Sequence, residues 1–242
     1  VIVDAVIPAR MDSSRFPGKP LARIQGKSMI ERVYRRVEAA ACFRRIVVAT
    51  DHEAIAGEVK RFGGEWCMTA AGHRSGTDRV LEAVGDQAID AVVNIQGDEP
   101  LIQPQLIRDV TAALSQTNSY VVTAAYRGDS REDFFSPHVV KVVLDRDRRA
   151  LYFSRAPIPW PQDPLKCEYL QHVGIYALRL DMLRQFVSWP PGVLETRERL
   201  EQLRFLENGV SIYVVDSPEP AFGVDVPEDI ARIEARLGGE NR

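Results

Sequence analysis

Short, apolar, β-branched runs alternate with longer stretches of helical period along the first half of the chain. Residues 2–7, 46–49 and 91–95 are strand-like, and each is followed by a polar turn and an amphipathic segment. Such alternation predicts a mostly parallel sheet covered by helices, an α/β fold, with residues 1–7 as a central strand. Residues 29–40 set Met29, Ile30, Val33 and Val37 on one face and displace Arg32, Arg35 and Arg36 from it, the pattern of a helix packed on a sheet. Asp51 is placed to cap a helix over 52–62 that stops at Gly63 and Gly64. Ser75 or Gly76 opens a helix over 77–84, and Pro104 opens one over 103–114.

From residue 120 the pattern changes. Runs at 120–125, 139–144, 151–153 and 174–178 read as strands, and the polar DRDRR at 145–149 joins two of them as a hairpin-like link. This predicts an antiparallel insertion. A helix over 195–208, a strand over 211–215 and a last helix over 227–237 follow, the last with Pro in its first turn and Glu228 and Asp229 matched to its dipole. One domain is expected, with a core of 1–119 and 210–242 and an insertion over 120–209.

A chain of 242 residues with 45% hydrophobic content can bury a sizeable core. Its formal charge of -3 supplies no basic field for nucleic acid, and no polybasic tract or long apolar run argues for membrane contact. Residues 1–7 are too short to span a membrane and lack the basic region of a signal peptide. Small molecules are therefore the expected partners. Cys42, Cys67 and Cys167 are odd in number and widely spaced, so neither a disulfide framework nor a zinc site is indicated, and a reducing cytoplasm is the expected setting.

The richest chemistry lies in residues 7–21, IPARMDSSRFPGKPL. Pro8, Pro17, Gly18 and Pro20 exclude helix, while Arg10, Arg15 and Lys19, the Ser13 and Ser14 hydroxyls and backbone N–H groups converge on a strand's carboxyl end. A triphosphate suits such a loop, although a solvated basic turn has the same composition. It contains neither GxxxxGK[ST] nor GxGxxG, so phosphate must be held by other means. NIQGDEPLI at 94–102 places Asp98 either as a Mg²⁺ ligand or, with Glu99, in a polar turn that caps the next helix. FGVDVPEDI at 222–230 leaves Asp225 the same two readings, ligand or N-cap. Two such carboxylates can hold one or two Mg²⁺ ions against phosphates, which points to attack at phosphorus.

AAGHRSGTDRV at 70–80 lets backbone approach a flat ligand, and its His73, Arg74, Ser75, Thr77 and Arg79, with Gln96, offer groups for a base edge; it serves equally as a capping loop. In the insertion, Arg155 and His172 suit a carboxylate, Tyr176 adds a phenol, and Glu201 and Gln202 suit sugar hydroxyls. A structural histidine and a solvated helix face account for the same residues.

Nine segments stand in one order: IPARMDSSRFPGKPL, VATDHEAIA, HRSGTDR, NIQGDEPLI, VVKVVLD, ALYFSRAPIPW, QHVGIYALR, LETRERLEQLR and GVDVPEDI. Together they resemble, over nearly the whole chain, the 3-deoxy-manno-octulosonate cytidylyltransferase (CMP-Kdo synthetase) family of lipopolysaccharide synthesis. The resemblance implies a Rossmann-like, GT-A-like nucleotidyltransferase fold whose insertion binds the sugar acid and dimerises. It implies a homodimer and Mg²⁺-dependent transfer of CMP from CTP to the anomeric hydroxyl of Kdo, releasing pyrophosphate. By the same resemblance Ala9, Arg10, Arg15 and Lys19 hold the triphosphate, Lys19 also offsetting charge in the transition state. Ser75, Arg79 and Gln96 take cytidine, Asp98 and Asp225 ligate the metal, and Arg155, His172, Tyr176, Glu201 and Gln202 form the sugar-acid site. The 8-amino variant of Kdo, or another keto sugar acid, is an alternative acceptor. A metal-dependent glycosyltransferase is the rival of another class, and the cationic loop speaks against it by favouring a triphosphate over a nucleotide sugar.

Overall fold

The fully buried stretch Ala5–Ile7 lies in β1 (Val3–Ala9), which has a parallel neighbour on each side and so must be apolar on both faces. The structure, a computed structural model, describes residues 1–240 except Ser13, Ser14, Arg74 and Pro164, and only the backbone of 239 and 240. The chain forms two compact units, Val1–Ile107 with Phe222–Arg242, and Arg108–Ala221. The division expected from sequence put the boundaries after residues 119 and 209.

In the first unit β1 is followed by a single 3-10 turn (Lys19–Leu21), the short hairpin of β2 (Arg23–Ile24) and β3 (Lys27–Ser28), and then α1 (Met29–Ala40). Next come β4 (Arg45–Thr50), α2 (Glu53–Arg61), β5 (Glu65–Met68), α3 (Gly76–Val84), β6 (Ala91–Ile95) and α4 (Pro104–Gln116), which carries the chain into the second unit. All four core strands are parallel, in the order β6-β1-β4-β5. The chain thus steps outward from β1 through β4 to β5, then returns to the other side of β1. The carboxyl ends of β1 and β6 consequently flank a topological switch point, where open α/β sheets bind ligands.

Local chemistry departs from expectation at two places here. Asp51 does not cap α2; the His52 ring Nδ1 accepts from the Ala54 N–H at 3.2 Å, which leaves Asp51 for Arg79. The prolines of the first loop do not exclude helix altogether, because Pro20 sits in the first positions of a one-turn helix where its missing N–H costs nothing. Asp4, a carboxylate inside a buried strand, is matched by Arg44 through two hydrogen bonds of 2.9 and 2.7 Å.

The second unit comprises β7 (Val121–Gly128), α5 (Arg131–Phe135), β8 (Lys141–Leu144), β9 (Ala150–Ser154), β10 (Tyr169–Arg179), α6 (Leu180–Ser188), α7 (Val193–Glu198), α8 (Leu203–Glu207) and β11 (Ile212–Ser217). Its strands lie in the order β11-β7-β10-β8-β9, antiparallel except where β11 runs beside β7. The hairpin read at 145–149 is present, with Arg148 in the left-handed region at φ 64°. β11, assigned from sequence to the core, belongs to this unit.

The continuous helix expected over 195–208 is instead broken at Arg199, whose φ of 54° is left-handed. The break has a packing reason. Arg204, buried, makes two bonds of 2.7 and 2.5 Å to the Glu195 carboxylate, whereas nine residues of unbroken helix would separate them by about 13 Å along the axis. Among the described residues no helix is long and apolar enough to cross a membrane, and none of the three cysteines is in a disulfide.

Candidate active site

At the switch point of the first unit lies a pocket of about 330 Å³. It is lined by Ala9, Arg10, Arg15, Lys19, Ser75, Arg79, Gln96, Asp98 and Asp225, with Pro8, Pro20, His73, Gly76 and Gly97 completing the wall. The nine residues proposed from sequence for nucleotide and metal thus share one cavity, although they come from four separate segments. Ser13, Ser14 and Arg74 lie outside the described residues.

The strand ends meet closely here. A Cβ on Gly97 would lie 3.0 Å from the Pro8 carbonyl oxygen, so a side chain there would push the β6 loop away from the end of β1. The loop after β1 is turned by Gly18 at φ 73°, whose N–H donates to the Met11 carbonyl at 3.1 Å, and Lys19 follows directly. Phe16 packs on the core cluster that contains Val224, Ile233 and Leu237. Arg15 and Asp225, the pocket-facing neighbours of Phe16 and Val224, are thereby brought together across 210 residues of sequence.

Both carboxylates are held by cations of the loop. Lys19 Nζ donates to Asp98 Oδ2 at 2.6 Å and to the Val224 carbonyl at 2.8 Å, while the Asp98 carbonyl accepts the Val224 N–H at 3.0 Å. Arg15 grips Asp225 with bonds of 3.1 and 2.9 Å. The two pairs differ in strength. Arg15 and Asp225 have side chains 55% and 45% exposed, a surface pair worth about 0–1 kcal/mol and readily exchanged for a phosphate oxygen. Lys19 and Asp98, at 15% and 30%, are more enclosed.

The start of the last helix uses a different carboxylate from the one expected. The Asp229 carboxylate, not Asp225, turns back to accept the Asp225 and Val226 N–H groups at 2.8 and 3.1 Å at the start of the last helix, Asp229–Glu240. Asp98 faces Lys19, and Glu99 accepts the Phe222 N–H at 3.1 Å, its carboxyl pushed up to about 8 by burial and by the Asp98 charge. Among the described residues no three His, Cys, Asp or Glu side chains gather as a metal cluster. Asp98 and Asp225 present two hard oxygen donors to one pocket, a set that fits Mg²⁺ because that ion takes one or two carboxylates and completes its shell with phosphate and water.

On the opposite wall Ser75 caps α3, its hydroxyl accepting the Asp78 N–H at 3.2 Å, and lines the pocket at the same time. Arg79 is buried, bonded to Thr69 and, at 2.6 Å, to Asp51. Asp51 and Thr69 are therefore positioning groups that sequence reading missed; Asp51 was legible only as a potential cap.

The sugar-acid candidates all belong to the second unit. His172 Nε2 lies 3.1 Å from Thr123 Oγ1 and 2.9 Å from the Tyr176 hydroxyl, and the Phe153 ring meets the imidazole edge-on. Burial lowers the His172 imidazole to about 3, so the ring is neutral and can meet a carboxylate by hydrogen bonding, not as a cation. Burial, followed by the charge of Glu201, raises the Tyr176 phenol well above its ordinary value and keeps it protonated. Glu201 and Gln202 sit in the turn between α7 and α8 rather than on a helix face, and the Gln202 Nε2 is buried with no hydrogen-bond partner among the described residues. Arg155 donates to the carbonyls of Glu198, Pro137 and Arg199 at 2.8, 2.9 and 3.5 Å.

His172 makes stability acid-sensitive. An unfolded chain protonates histidine near pH ~6.5, whereas the folded chain resists until about 3, so the unfolded state binds more protons between those limits and stability falls as the pH drops through them. The melting-temperature gap between the parent and His172→Asn should therefore narrow as the pH is lowered from 7 to 4; a constant gap would show that His172 is not held neutral.

The chain matches the cytidylyltransferase family over residues 5–212. It is 49% identical over 247 residues to the 3-deoxy-manno-octulosonate cytidylyltransferase of Syntrophotalea carbinolica, covering 98% of this chain and 99% of the relative. The enzyme of the same name from Aliivibrio fischeri is 46% identical, covering 96% and 97%. Among solved structures, that of CMP:2-keto-3-deoxy-manno-octonic acid synthetase complexed with CTP superposes with a TM-score of 0.93 at 39% identity, covering 99% of this chain and 100% of that one. A nucleotidyl transferase from Methanothermobacter thermautotrophicus shares the fold, with a TM-score of 0.67 at 17% identity over 99% of both chains.

Proposed function

The chain belongs to the 3-deoxy-manno-octulosonate cytidylyltransferase family, and on that premise we propose that it transfers CMP from CTP to the anomeric hydroxyl of this keto sugar acid, releasing pyrophosphate. The observation that carries the reading is the pocket at the switch point, where Arg10, Arg15, Lys19 and Arg79 face one cavity with Asp98 and Asp225. The three loop cations Arg10, Arg15 and Lys19 suit a triphosphate, and two carboxylates suit the divalent ion that accompanies it.

As CTP enters, Arg15 and Lys19 exchange their carboxylate partners for phosphate oxygens. Asp98 and Asp225, so freed, would hold Mg²⁺. When bound, that ion supplies Lewis-acid stabilisation of phosphoryl charge. Ser75, Arg79 and Gln96 take the cytidine, and Ala9 lets backbone approach the phosphates. In the second unit Arg155 binds the acceptor carboxylate, while Tyr176, His172, Glu201 and Gln202 bind its hydroxyls and orient it. The anomeric hydroxyl gives its proton to water as its oxygen bonds to the α-phosphorus, the bond from the α-phosphorus to the bridging oxygen breaks, and Lys19 stabilises the charge that builds on the leaving pyrophosphate. The protein works as a homodimer in the cytoplasm, and its product serves lipopolysaccharide synthesis.

Incubation with CTP and a panel of keto sugar acids, read by pyrophosphate release, tests this. Release with 3-deoxy-manno-octulosonate, lost in EDTA and restored by excess Mg²⁺, is expected. Absence of release with every acceptor would overturn the assignment, and full activity in EDTA would remove the metal from it.

A further inference from the structure

Lys141 is fully buried in β8, yet among the described residues no carboxylate accepts a hydrogen bond from its ammonium. Its Nζ donates instead to three carbonyls, those of Ser136 at 2.9 Å, Val139 at 2.6 Å and Arg155 at 2.7 Å. Burying an ammonium is costly, and three neutral acceptors compensate it less well than an ion pair does. The arrangement converges on one residue. Two of the carbonyls belong to the segment 136–139, to which the Arg155 guanidinium is also tied through Pro137 at 2.9 Å, and the third is Arg155's own.

Glu198 grips the same residue from the other side. Its carboxylate accepts the Arg155 N–H at 2.9 Å and the Ser154 hydroxyl at 2.6 Å, and its carbonyl accepts Arg155 Nε at 2.8 Å. Arg155 is thus fixed at its N–H, its carbonyl and its Nε. Of five guanidinium N–H groups, three donate to these carbonyls, from Nε and from each Nη, which among the described residues leaves one on each Nη as a fork to offer a carboxylate. We infer that Lys141 and Glu198 are positioning residues that hold Arg155 with this fork open to the carboxylate of the sugar acid. The inference rests on the function proposed above for Arg155.

Steady-state kinetics of Lys141→Met and Glu198→Gln test it. The KM for the sugar acid should rise about ten- to a hundredfold, as displacement of a substrate clamp by about 1 Å does, while the KM for CTP stays within about twofold. A variant that merely loosened the fold would change both. In an Arg155→Ala background, adding Lys141→Met should raise the sugar-acid KM no further, because its effect passes through Arg155. An unchanged KM in the single variants, or additive effects in the double variant, would overturn the inference. Should Lys141→Met fail to fold, Glu198→Gln, which keeps the side-chain shape, decides alone. A parent enzyme whose rate does not depend on the sugar acid would instead overturn the proposed function.

Discussion

Replacing Asp98 with asparagine should lower the rate of pyrophosphate release about a thousandfold while CTP affinity changes no more than severalfold. The substitution keeps shape and removes one negative charge from a pocket whose cations do the binding. Lys19, now 2.6 Å from Asp98 Oδ2, keeps an amide oxygen to accept its proton and faces the triphosphate with less competition. What is lost is one of two carboxylates suited to the metal, and a thousandfold corresponds to about 4 kcal/mol, the scale of charge stabilisation by a bound divalent ion. Pyrophosphate release at saturating CTP, set beside calorimetric CTP binding, separates the two quantities. A rate within tenfold of the parent would remove Asp98 from the metal site.

Lys19→Met is expected to damage both quantities, lowering kcat/KM about ten-thousandfold. Its ammonium bridges Asp98 and the Val224 carbonyl, at 2.6 and 2.8 Å. Methionine fills the space but removes the cation proposed for the triphosphate and for the leaving pyrophosphate, and it leaves Asp98 beside the Glu99 carboxyl with less compensation. Lys19→Arg should rescue poorly, because a planar fork cannot replace a compact charge set between two close acceptors. Weakened CTP binding together with lost turnover is the expected signature, in contrast to Asp98→Asn. A variant that binds CTP normally would assign the triphosphate grip to Arg10 and Arg15 alone.

The loop from Arg10 to Lys19 was legible as an anion cradle or a solvated basic turn, since prolines, a glycine and three cations stand at a strand's end, and the fold brings Arg10, Arg15 and Lys19 to one pocket. Asp225 was not decidable in the same way. An acidic residue ahead of a Pro-started helix looks like a cap, and only the packing of Phe16 on the cluster that holds Val224 brings its carboxylate to Arg15. Lys141 and Glu198 were visible only as members of the segments that carry the resemblance; the signal available was a charged residue inside the apolar run VVKVVL, which a strand can bury only with partners. Their convergence on Arg155 joins segments 14 and 43 residues away.

The sequence by itself determined the alternation of strand and helix, the parallel core, the antiparallel hairpin at 145–149 and the cationic character of the loop after β1. These follow from period, propensity and turn chemistry, which act over a few residues. Tertiary structure decided that β11 pairs with β7, that the helix breaks at Arg199 so that Glu195 can reach Arg204, and that His172 is neutral. It also decided that Asp51 anchors Arg79 instead of capping α2. Each of these depends on which distant group removes water from, or donates a proton to, a given atom, and local sequence pattern does not carry that information.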